Sequence, residues 1–123
     1  MNAINFIKQH GVDKAREVVQ LAPDGATHLS NDTRHYVNAD FKPLPTHIKE
    51  QLPKLIVIEH LKRLVESVDL IGKYHSIDHA KNHYNNMREA LNQYQYENKD
   101  IEDLSNELKQ AIADYESIGG EHV

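Results

Sequence analysis

Apolar residues recur every three or four positions through the second half of this 123-residue chain. That period admits an amphipathic helix and excludes an alternating strand. Ile58, Leu61, Leu64, Val65, Val68 and Ile71 form a first run. Ile77, Ala80, Tyr84, Met87, Leu91 and Tyr94 form a second, and Ile101, Leu104, Leu108, Ala111, Ile112, Tyr115 and Ile118 a third. Leu55-Ile56-Val57-Ile58 taken alone also suits a buried strand, but its continuation assigns it to helix. One long helix over 46–75 is therefore predicted, with Thr46 capping a first turn and Pro53 at an early position where its missing N–H is not needed. Glu97-Asn98-Lys99-Asp100 interrupts the C-terminal helices over 78–118, with Asp100 as a new cap. Gly119-Gly120 ends them, leaving 119–123 as a loose tail. The pattern is close to a heptad, which suits an antiparallel helical hairpin or a dimer seam.

Residues 1–22 read as a pair of short helices. Asn2 can cap a helix to about His10 that faces inward with Ile4, Phe6 and Ile7, and Gly11 supplies the left-handed stop. Val12 as staple and Asp13 as cap start a second helix over about Lys14 to Ala22, with Ala15, Val18, Val19 and Ala22 inward and Pro23 ending it. Over 24–42 the chain reads as a β-hairpin: Ala26–Ser30 and Arg34–Val37, turned at Asn31-Asp32-Thr33. A lone hairpin is not stable in water, so Leu29, Tyr36 and Phe41 should anchor it to the helices. Pro43 and Pro45 form a stiff linker. The stretch Lys8–Arg16 is echoed by Lys73–Lys81, with His, Asp and Ala in register. The echo describes one helix-break device used twice and places a break at Ser76.

The length fits a single domain over 1–123. Cysteine is absent, which removes disulfides, thiolate metal sites and thiol nucleophiles. No apolar run is long enough to cross a membrane, and the start lacks a signal-peptide core, so a cytoplasmic protein with no membrane association is expected. The net charge is −5. Residues 1–45 are neutral, 46–75 carry +1 and 76–123 carry −6. An acidic C-terminal part repels phosphate backbones and makes nucleic acid an unlikely partner.

No GxSxG, GxxxxGK[ST] or GxGxxG occurs. Nucleophile, base and oxyanion donor are not found together, so an enzyme and a cofactor are not expected. His75, His79 and His83 would share a face of an unbroken helix and could then hold zinc. The break at Ser76 removes His75 from that face, so no metal is expected, and the other histidines are scattered. The sharpest surface is the acidic last helix: Asp100, Glu102, Asp103, Glu107, Asp114 and Glu116 could engage a basic partner, against the plainer reading of a solvated face. The alternative is a DNA-binding regulator using the N-terminal helix pair. There Lys14 and Arg16 are offset by Asp13 and Glu17, a weak electrostatic footprint. More apolar stripe is present than one small lid covers, which predicts a homodimer.

Phe6-Ile-Lys-Gln-His-Gly-Val-Asp-Lys-Ala15 and Ala22-Pro-Asp-Gly-Ala-Thr-His-Leu29 resemble the openings of small accessory proteins of lambdoid phages and prophages of enterobacteria. Leu61-Lys-Arg-Leu-Val-Glu-Ser67 has a similar character. The resemblance covers the first third of the chain well and carries no catalytic residue. It implies context, a phage gene expressed in a bacterial cytoplasm, and not a reaction; a host or phage protein is the partner expected for a non-enzymatic interaction protein. The fold expected from all this is mainly α: a bundle of about five helices with a small β-hairpin inserted near residues 26–37.

Overall fold

The computed structural model describes residues 1–93 and 99–119. Tyr94, the Glu97-Asn98 interruption, Gly120 and the rest of the tail lie outside them. The described chain is mainly helical with one small antiparallel sheet. It forms two compact units, residues 1–65 and 66–121, with the boundary inside one helix.

In the first unit α1 (Ala3–His10) starts as its sequence predicts, because the Asn2 side chain accepts the free Asn5 N–H at 2.8 Å. Gly11, at φ +90° and ψ 163°, holds a conformation that side chains disfavour and ends the helix. The chain re-enters a helix at once as α2 (Val12–Leu21). Val12 is its first residue, so Asp13 lies in the first turn instead of capping it; Asp13 accepts from Arg16 at 2.9 Å. Phe6, Ile7, Val12, Ala15 and Val18 are buried.

The hairpin forms from β1 (His28–Leu29) and β2 (Tyr36–Val37), paired His28 to Val37 and Leu29 to Tyr36. Its turn is tied by side chains. Asp32 takes the Ser30 hydroxyl and the Arg34 N–H, and Ser30 Oγ accepts from His35 N at 3.0 Å. Leu29 is fully buried, and the Tyr36 hydroxyl donates to the Val18 carbonyl at 2.7 Å. Both therefore anchor the sheet. Phe41 does not: it is 59% exposed.

The helix expected over 46–75 is divided. A short α3 (Thr46–Gln51) passes into a 3₁₀ turn at Leu52–Lys54, then a third strand, β3 (Ile56–Val57), and only then α4 (Ile58–Gly72). β3 pairs antiparallel with the free side of β1, giving the order β2-β1-β3, and Ile58 N–H continues the pairing to Thr27 O at 3.0 Å. The reason is backbone accounting. β1 has N–H and C=O groups on both sides, and a β-branched pair with Ile56 buried supplies the second set of partners. Helical periodicity cannot register that demand because it comes from residues about thirty positions away.

The second unit contains the end of α4, α5 (Ile77–Gln93) and α6 (Lys99–Ser117), with α5 and α6 packed together. Ile71, Ala80, Leu108 and Ala111 form its core, and Tyr74, Ile77, Tyr84, Met87, Ile112 and Tyr115 pack around it. Small residues at Ala80 and Ala111 let the helices approach closely. The helix break falls at Ser76, as the echo predicts. The cap is Ser76 itself, however, accepting from His79 N at 3.2 Å, and Asp78 lies inside the first turn. Asp100 is likewise inside α6 and not its cap, where its carboxylate favours the positive end of the helix.

Candidate functional site

The six acidic residues expected to make one face on α6 do not share one. Successive helical residues are about 100° apart. Asp100, Asp103 and Glu107 then fall in one column, while Glu102 and Glu116 fall on the far side of the helix. Asp100, Glu102, Asp103, Glu107 and Glu116 are exposed. Glu116 is bound to Lys81 of α5 at 3.0 Å. Asp114 must be removed from the surface set altogether, being only 5% exposed. It accepts the Ser67 hydroxyl of α4 at 2.7 Å and the Gln110 amide at 3.0 Å. Its carboxylate continues the acidic column toward the core, where hydrogen bonds replace water.

Leu104 changes the character of that column. Its place in the apolar repeat predicts an inward side chain, yet it is 56% exposed, and Ser105 beside it is fully buried. Ser105 can be buried because its hydroxyl donates to Glu102 O at 2.9 Å within its own helix. Leu104 thus stands at the edge of the buried stripe with Asp100 one turn before it, Asp103 beside it and Glu107 one turn after. Repeat-counting misses this because Leu and Ser exchange places at the rim of a packed stripe. Only the packing of α5 on α6 decides which one turns in.

The histidines divide between two places. The His75 and His79 rings meet edge-on with centroids 5.5 Å apart, and Ser76 Oγ lies 2.8 Å from His79 Nδ1. His83 instead packs on Tyr74, with ring centroids 5.6 Å apart. Among the described residues no three His, Cys, Asp or Glu side chains are placed to hold a metal ion. An open cleft of about 400 Å³ lies beside the Lys81–Glu116 pair, lined also by Ile77, Tyr115 and Gly119. It brings together one cation, one carboxylate and a phenol.

In the first unit, His28 lies on the central strand with its Nδ1 2.7 Å from the Thr27 hydroxyl. Burial lowers its pKa, Asp40 opposes that, and His60 adds to it. At the start of α2, Arg16 meets Asp13 at 2.9 Å and Lys14 meets Glu17 at 3.7 Å. Both cations that a DNA reader would present there are engaged by carboxylates of their own helix. No described helix is long and apolar enough to cross a membrane. Comparison with known protein families, curated protein sequences and solved structures finds nothing that matches this chain.

Proposed function

We propose that the chain is a non-enzymatic protein-interaction module that binds a basic partner protein through the Asp100–Asp103–Glu107 column of α6. The observation that carries this reading is Leu104, a large apolar side chain held in water among three carboxylates. An exposed leucine beside three carboxylates supports this reading because it supplies an apolar anchor with a charged rim. The context implied by the N-terminal resemblance, a phage gene expressed in a bacterial cytoplasm, makes a host or phage protein the partner to test. Capture from a bacterial lysate tests it, using wild type beside the Asp100→Asn, Asp103→Asn, Glu107→Gln variant. The same partner should be lost in the variant and at high salt, since screening weakens such contacts. A partner set unchanged by both would refute it.

Homodimerisation is the second arrangement favoured by an exposed Leu104. The two respond to salt in opposite directions. A two-fold contact would bring like carboxylates together and strengthen as salt screens them, whereas a basic partner would weaken.

A further inference from the structure

The apolar stripes of α5 and α6 continue past the core that α4 completes. The α6 residues gathered with α4 begin at Leu108 and run through Ala111 and Asp114, and those of α5 end at Met87. Beyond them the same stripes carry Leu91 on α5 and Ile101 and Leu104 on α6. Leu91 and Ile101 are half-buried and Leu104 is largely in water. Among the described residues, this end of the α5–α6 pair therefore carries Leu91, Ile101 and Leu104 on the continuing stripes. Its two borders differ. On α6 the border is Asp100, Asp103 and Glu107. On α5 the residues around Leu91 are mixed: Arg88 is half-buried, Glu89 is exposed, and Asn85, Asn86, Asn92 and Gln93 are exposed amides.

We infer that this strip is a docking site for a basic amphipathic helix. The inference rests on the proposed function and supplies the form of the partner. Charge decides the occupant. Residues 66–121 hold twelve acidic and five basic side chains, so a second copy would set acidic unit against acidic unit. A cationic partner meets complementary charge instead. Spacing decides the shape. The three carboxylates stand at i, i+3 and i+7 along about 10 Å of helix, a period that a facing helix matches with Lys or Arg at the same intervals. Its apolar stripe then lies on Leu91, Ile101 and Leu104, the helix-in-groove mode of recognition.

The test uses the full chain and a synthetic Leu/Lys peptide of about 18 residues, long enough to form a helix on contact. Its apolar positions are at i, i+3, i+4 and i+7. Controls are a scrambled peptide of the same composition and a Leu/Glu counterpart. Titration calorimetry should give binding by the patterned peptide at least about tenfold tighter than by the scrambled one, a difference of ~1.4 kcal/mol. Leu104→Ser, at an exposed position that leaves the fold intact, should weaken it by a similar factor, and the Leu/Glu peptide should not bind. Amide shifts should gather on 87–93 and 99–107. Equal binding of patterned and scrambled peptides, or indifference to Leu104→Ser, would overturn the inference as charge attraction alone. So would a dimer in sedimentation that Leu104→Ser abolishes, because the strip would then belong to a second copy. If the peptide fails while a lysate partner is still lost in the carboxylate variant, the acidic column stands and only the helical occupant falls.

Discussion

Tyr36 joins the small sheet to α2 through a single hydrogen bond, and its acceptor matters. Val18 lies in the last turn of α2, where carbonyls lack helical partners, so the phenol satisfies an otherwise orphaned group. Tyr36→Phe should cost about 1–3 kcal/mol, the range for stranding a sheltered acceptor, measured by urea denaturation. Phe41→Ala should stay within about 0.5 kcal/mol, as exposed positions do; a large loss would show that Phe41 is covered. His28 gives a pH dependence with a definite sign. Its folded pKa lies below that of the unfolded imidazole, near ~6.5, so the folded state binds this proton less readily. Stability from this group is full above ~6.5 and falls as pH drops through that value toward the folded pKa. Melting temperatures from about pH 8 to about pH 5 should fall more steeply in wild type than in His28→Gln, whose side chain does not titrate. Parallel curves would count against it.

At the scale of elements, the helix-break device occurs twice, and the two copies work by different means. The aligned residues Val12 and Ile77 each begin a helix, earlier than the staple-then-Asp-cap reading of the echo places the start. Before Val12 stands a glycine whose backbone makes the bend, and before Ile77 a serine whose side chain caps. A Cβ at Gly11 would meet nothing within 4 Å, so Gly11→Ala tests backbone strain alone. It should cost about 1–3 kcal/mol through the positive φ. Ser76→Ala should cost about 0.5–2 kcal/mol through the lost cap. If Gly11→Ala proved neutral, the turn would have to relax to negative φ. α4 and α6 share the Ser67–Asp114 bond in the second unit. Asp114→Ala strands the buried Ser67 hydroxyl, and chemical denaturation should register a loss of about 1–3 kcal/mol. A solvated surface carboxylate would give a value near zero.

Over the whole chain, charge is divided much as contacts are. Residues 1–65 hold nine basic and seven acidic side chains, against five and twelve in 66–121. The balance locates the attraction for a cation in the second unit, and it makes salt the variable to watch. Sedimentation equilibrium at low and high ionic strength should give the monomer mass at low salt, where the carboxylates repel most. A dimer that dissociates on adding salt would contradict that argument. Thermal melts with and without a chelator should coincide. A structural zinc would instead contribute folding free energy directly, and its removal would lower the midpoint by many degrees.

Helices whose signals are local were legible in the residues alone. Asn2, Gly11 and Pro23 bound the first pair, the Asn31-Asp32-Thr33 turn locates the hairpin, and the three-four repeat carries α4, α5 and α6. Each of these is a relation among residues within one or two turns of each other, which is the reach of capping and periodicity. Tertiary structure decided three things. Ile56-Val57 became a strand because β1 needed partners on its second side. Asp114 went inside because Ser67, 47 positions away, was there to donate to it. Leu104 stayed in water while Ser105, its hydroxyl satisfied by Glu102 O, took the buried place. In the first two cases the deciding partner is distant in the chain, and a residue's own neighbours carry no record of it.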